Sequence, residues 1–169
     1  GTAIATGKKT RNGTIGVTPD NKPAKTVLEL AEEKGLATGL VATSSITHAT
    51  PASFIAHQKS RRENFLIAKD FLSTDIDIFI GGGRIHFEDS VGNNLSDKLR
   101  DKGYSIVYSL EDIDHASRNN IGCLVADDKL PSMLKGRGDY LPNATGIALS
   151  KLSQNKDGFF VMIEGSQID

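Results

Sequence analysis

The chain has 169 residues, 38% of them hydrophobic and 24% charged, enough for one domain with a real core and too few for two of ordinary size. A net charge of −1 and a pI near 6.5 exclude a general nucleic-acid binder, which carries a basic excess. No apolar run approaches the roughly 20 residues of a membrane span, and a lone cysteine, Cys123, excludes an internal disulfide.

Helix-like and strand-like segments alternate along the chain. Thr26 to Lys34 carries apolar residues at 27, 28, 30 and 31 and is stopped by Gly35, which predicts a helix. Leu36 to Thr43 is an apolar, partly β-branched run that predicts a buried strand. Thr50-Pro51 then has the form of a helix start, threonine as cap and proline in the first turn. That helix is expected to turn Phe54, Ile55 and Ala56 inward and to carry Arg61 near its end. Asn64 to Leu72 predicts a further helix, Asp75 to Ile80 a strand, Leu95 to Lys102 a helix closed by Gly103, and Tyr104 to Tyr108 a strand. Ile121 to Ala126, which holds Cys123 as a small buried side chain, predicts another strand. Gly146 to Leu152 predicts a helix, and Gly158 to Ile163 a last, almost wholly apolar strand. Residues 109–143, with Pro131, Gly136, Gly138 and Pro142, predict an irregular surface excursion within one domain spanning 1–169.

Continuous apolar strands between helices define an α/β fold, a mainly parallel sheet with helices on both faces. Ligands in such sheets gather at the carboxyl ends of the strands. His48 and Thr50 follow one strand closely, and Glu164 follows another directly.

A threonine hydroxyl is a weak oxygen ligand that serves a hard cation only beside carboxylates. Glu164 ends the run Phe159-Phe160-Val161-Met162-Ile163, where a carboxylate needs a hydrogen bond, a cation or a metal. Five residues on, Asp169 offers a second carboxylate within reach of the same short loop. Arg61 reads equally as helix-dipole compensation or as a guanidinium fork for two phosphate oxygens. His48 stands two residues before Thr50, close enough to serve the same metal directly or through water, whereas His57 reads as a packing or solvated side chain. Gly81-Gly82-Gly83 is followed by no Gly-Lys-Ser/Thr, so a tight turn explains it better than a phosphate loop. There is no G-x-S-x-G elbow and no paired C-x-x-C motif.

Taken together, His48-Ala49-Thr50-Pro51-Ala52, Ser60-Arg61 and Glu164-Gly165-Ser166-Gln167-Ile168-Asp169 resemble the alkaline phosphatase family. Supporting matches run in order from Thr2-Ala3, Thr6-Gly7 and Asn12-Gly13 through Gly35-Leu36-Ala37-Thr38-Gly39 and His57 to Gly158-Phe159-Phe160. The resemblance implies a partial α/β sandwich, phosphate monoesters as substrates, two zinc ions and one magnesium ion as cofactors, a homodimer, and a periplasmic or secreted location. By position, it implies that Thr50 and Glu164 are magnesium ligands, Asp169 is a ligand of a zinc, and Arg61 binds substrate phosphate. His48 stands where some members have aspartate, which makes zinc or a mixed metal plausible there. The family's Asp-Ser nucleophile motif and its later aspartate and histidine ligands have no counterpart in these 169 residues. The expectation is therefore an internal fragment that does not turn over phosphate esters alone. Two other readings are a phosphomutase-like or sulfatase-like enzyme of the same superfamily, and a non-catalytic α/β binding module in which Thr50 caps a helix and Glu164 closes a salt bridge.

Overall fold

The structure is a computed structural model that describes residues 1–88 and 91–166. Its centre is a five-stranded sheet made of β1 (Ala37–Ser45), β2 (Ile78–Gly82), β3 (Ser105–Val107), β4 (Ile121–Ala126) and β5 (Phe159–Glu164). The spatial order is β3-β4-β2-β1-β5 and every pairing is parallel. Parallel neighbours require crossovers, and the helices provide them.

Alternation along the strands sends side chains to two separate cores. Leu40, Phe79, Leu124 and Met162 face one side, where they meet Leu28 of α2 (Val27–Glu33), Ile67 and Ala68 of α4 (Asn64–Asp70), and Leu99 of α5 (Leu95–Asp101). Val41, Ile78, Ile80 and Cys123 face the other, beneath Ala144, Ala148 and Leu152 of α6 (Tyr140–Leu152). Burial pushes the Cys123 thiol up to about 12, so it behaves as a small core hydrophobe rather than a nucleophile.

Local chemistry accounts for the boundaries. α2 begins at a capping box: the Thr26 hydroxyl accepts from the Glu29 N–H (3.1 Å), and the Glu29 carboxylate accepts from the Thr26 N–H (2.7 Å). α6 starts six residues earlier than the sequence suggested, because Pro142 falls in its first turn, where a missing N–H costs nothing. Within 109–143 the chain makes single 3-10 turns at Glu111–His115 and Met133–Lys135, but it also supplies β4, paired on both sides. Gly81 and Gly82 belong to β2 itself, and a Cβ on Gly82 would lie 1.9 Å from the Asp128 carbonyl. Gly82 therefore lets the 128–129 segment pass close over the strand end.

The helix expected to run from Pro51 to Arg61 is absent in that form. α3 spans only Ala49–Ala52, with His48 rather than Thr50 in the cap position. The reason is packing: Phe54, Ile55 and Ala56 are all buried in succession, and three consecutive residues cannot share one face of a helix. Past them the chain straightens and pairs with an earlier segment. The N–H and carbonyl of Gln58 both bond to Ile15 (2.9 Å each), and the Arg61 N–H donates to the Gly13 carbonyl at 2.7 Å. Arg61 is thus held by a short antiparallel ribbon, Ile15 bridged to Gln58 and Gly13 bonded to Arg61, and not by a helix dipole.

Candidate active site

The site forms at the carboxyl ends of β1 and β5, where parallel strands leave room for ligands. Ala42 of β1 is in register with Glu164 of β5, which brings the two strand ends together. Just beyond, the Ser44 hydroxyl donates to the Glu164 carboxylate at 3.0 Å. Thr43 holds the next turn, accepting from the Ser166 N–H at 2.8 Å. Among the described residues this carboxylate is met by a hydroxyl and by no cationic side chain within salt-bridge distance, which speaks against the salt-bridge reading of Glu164.

β1 delivers the other residues through a tight turn. The His48 N–H donates to the Ser45 carbonyl (2.9 Å), and α3 follows at once. Thr50 is the second residue of that helix and makes no capping bond, so the reading of Thr50 as a structural cap is overturned. Thr50 as a residue is half-buried on this short helix, two positions after His48.

His48 and Arg61 are brought into contact, Arg61 Nη2 lying 3.1 Å from His48 Nε2. A guanidinium only donates, so this contact is a hydrogen bond when Nε2 is the unprotonated ring nitrogen. Both side chains are exposed, and most of the arginine's five donors stay available to an anion. An open cavity of about 1050 Å³ is lined by Ser44, Ser45, His48, Lys129, Lys135 and Ser166. A second, of about 320 Å³, is lined by Gly1, Lys9, Arg11, Ala49, Ser53 and Arg61. His48 lines the first and Arg61 the second; Lys129 and Lys135 stand with the carboxylate of Asp128 in the first, and Lys9, Arg11 and Arg61 make the second hospitable to an anion.

As possible metal ligands, Glu164 and Thr50 each offer an oxygen donor of the kind a hard cation accepts, and His48, two residues before Thr50, offers a nitrogen. Asp169 lies outside the described residues. Among the described residues no three His, Cys, Asp or Glu side chains converge in a cluster able to hold a metal ion. By chemistry, oxygen donors of this kind suit a hard cation such as Mg²⁺ better than Zn²⁺.

One residue near the site, read from sequence as packing or solvated, has a packed role with specific partners that the sequence did not give. His57 is half-buried and packed between the ribbon and α2: Nδ1 lies 2.5 Å from the Gly16 carbonyl, and Nε2 3.0 Å from a Glu29 carboxylate oxygen. The available signal was the Thr26-x-x-Glu29 spacing, which marks a capping box and so places a carboxylate at the start of α2.

Fold and site define a parallel α/β protein with Glu164 at the end of β5 and, after the neighbouring β1, a His48–Arg61 contact. The alkaline phosphatase family profile matches residues 1–169, and the chain belongs to that family. It is 45% identical to alkaline phosphatase 3 of Bacillus subtilis, over 99% of this chain and 38% of that protein. It is 31% identical to the alkaline phosphatase of Escherichia coli, over 99% of this chain and 47% of that one. Among solved structures, the alkaline phosphatase of the Antarctic bacterium TAB5 superposes with a TM-score of 0.93 at 42% identity, covering 99% of this chain and 50% of that one. A histidine-to-glutamate mutant of the TAB5 enzyme, at a TM-score of 0.92 and 41% identity, has Mg bound in its M3 site and is covered to 49% by this chain, itself covered to 99%. The chain thus spans half or less of the length of these relatives.

Proposed function

We propose that these residues serve phosphate monoester hydrolysis in a protein of the relatives' length, with Arg61 gripping the transferred phosphoryl group. The observation that carries this reading is the placement of Arg61. Backbone pairing holds it in contact with His48, which follows β1, the strand paired with the one that carries Glu164. The planar fork of an arginine matches two non-bridging phosphate oxygens, which a lysine cannot do bidentately. Glu164 and Thr50 would hold Mg²⁺, with His48 beside it directly or through a water. The family resemblance adds two zinc ions, one of them served by Asp169. When bound, such metals supply charge neutralisation at the attacking and leaving oxygens. Ser44 keeps the Glu164 carboxylate oriented, and Arg61 fixes the phosphate so that attack can be in line. The same resemblance supports a homodimer and a periplasmic or secreted location. No helix among the described residues is long and apolar enough to cross a membrane.

The test is calorimetric titration of the 169-residue chain with inorganic phosphate. Arg61→Ala removes a charge-assisted interaction of about 1.5–3 kcal/mol in all, so binding should weaken roughly tenfold to a hundredfold. Arg61→Lys should recover only part of it. Phosphate affinity indifferent to both substitutions would remove Arg61 from the site. By itself this chain is expected to leave an aryl phosphate intact with or without Zn²⁺ and Mg²⁺, since the resemblance finds no nucleophile in it. Brisk metal-dependent turnover by the purified chain would overturn that expectation.

A further inference from the structure

His57 is placed between two groups that can only accept. The Gly16 carbonyl has no proton to give, and Glu29 already accepts the Thr26 N–H with its other oxygen, the behaviour of an ionised carboxylate. A neutral imidazole has one N–H and would leave one of these acceptors facing a lone pair. Both contacts are satisfied together only when both ring nitrogens carry protons.

The surroundings agree. The charged groups facing the ring are Glu29 from α2 and Asp70 from α4, both carboxylates; Asp70 also accepts the His57 N–H (2.9 Å) and the Gln58 side-chain amide (2.7 Å). Hydrogen bonding to Glu29 raises the His57 pKa above its ordinary 6.5; burial opposes this and the Gly16 carbonyl assists. Burial works against ionised Glu29, but the hydrogen bonds from His57 and the Thr26 N–H outweigh it and leave the carboxylate below its usual range.

Gly16 is the other half of the device. Its carbonyl also accepts from Ala24 N–H (2.8 Å), and its own N–H donates to the Thr2 hydroxyl (3.1 Å) in α1 (Thr2–Thr6). One residue away, Ile15 pairs with Gln58, and Gly13 holds Arg61. The ring therefore lies where α1, α2 and the ribbon that carries Arg61 are tied together.

We propose that His57, as an imidazolium clamped between Glu29 and the Gly16 carbonyl, is the positioning residue that seats Arg61 at the phosphate site. The role of Arg61 in it rests on the function proposed above; the clamp itself rests on the contacts of His57. Losing the ring proton forfeits one of its two bonds, loosens the ribbon against α2 and frees the arginine's backbone to drift. The folded ring binds its proton more tightly than the unfolded one. Its contribution to stability is therefore whole below about pH 6.5 and is lost as the pH rises through the higher folded value.

The experiment is a pH titration of the 169-residue chain by NMR, following the His57 ring nitrogens and the backbone amides of Ile15 and Arg61. Expected are two protonated ring nitrogens at pH 7 and ribbon amides that shift with the same midpoint as the ring. In Glu29→Gln, which keeps the shape of the cap and can donate to a neutral ring, that shared midpoint should fall by roughly tenfold or more in proton affinity. A single protonated nitrogen at pH 7, or an Arg61 amide that ignores the ring, overturns the proposal. Adding inorganic phosphate below and above the midpoint separates the two readings. Affinity that falls with the ring's proton supports the clamp as a positioning device, and affinity unaffected by it overturns that role. No response of Arg61 to phosphate at any pH removes the arginine from the phosphate site, and with it the positioning role, while a ring and ribbon that still titrate together retain the clamp as a structural one.

Discussion

Gly16→Ala should unfold the chain at markedly lower denaturant, with a loss of about 3 kcal/mol or more. Gly16 has φ +58°, in the left-handed region that side chains resist, and a Cβ built there lies 1.9 Å from the Ala56 carbonyl and 3.0 Å from His57 Nδ1. Neither neighbour can give way cheaply. Ala56 is fully buried, and His57 is held from both sides. At about 2–4 °C per kcal/mol for a chain of this size, the melting temperature should fall by roughly 6–12 °C. Gly7→Ala is the control, because Gly7 has φ +69° but nothing within 4 Å of its would-be Cβ. It isolates the backbone cost, about 1–2 kcal/mol. Equal losses at the two positions would show that the close approach at Gly16 is not real and that the ribbon is free to move.

A loss of about 3–5 kcal/mol is also expected for Phe79→Ala. The ring is fully buried in β2 and lies at the middle of an aromatic cluster, 4.8 Å from Phe71, 6.1 Å from Tyr104 and 6.2 Å from Phe87, centroid to centroid. It also covers Gly122 of β4, where a Cβ would come within 2.3 Å of its Cζ. Truncation would leave a cavity framed by two strands and by residues from outside the sheet, a rigid setting that collapses poorly. Phe79→Leu retains much of the volume and should cost less. Because a domain's whole stability is about 5–15 kcal/mol, Phe79→Ala alone threatens folding at physiological temperature. Denaturant midpoints for the two variants decide it: a Phe79→Ala chain within about 1 kcal/mol of wild type would mean that this core repacks freely.

The alternation of apolar strands and helices was legible in the residue order, because burial on both faces of a parallel sheet forces continuous apolar runs such as 121–126 and 159–163. The placement of His48 and Glu164 at strand ends followed from the same pattern. Family-wide motifs pointed to Arg61 and Thr50 as well. Their local settings were another matter. Thr50-Pro51 has the sequence of a helix cap, yet His48 takes the cap position and the helix ends after one turn, because the buried run Phe54-Ile55-Ala56 needs a path no helix face allows. Arg61 was expected on that helix and is instead fastened to Gly13 by long-range pairing, a contact that no local periodicity encodes. His57 shows the division most plainly. As a residue in sequence it is a histidine after an apolar run. Only the fold brings Gly16, 41 positions away, and Glu29, 28 positions away, to its two nitrogens. Sequence by itself determined which segments are buried and which residue types are available for chemistry, since hydrophobic burial acts on each segment's own pattern. The tertiary structure alone decided protonation and hydrogen-bond partners, because these depend on which distant groups are packed against a side chain and deprived of water.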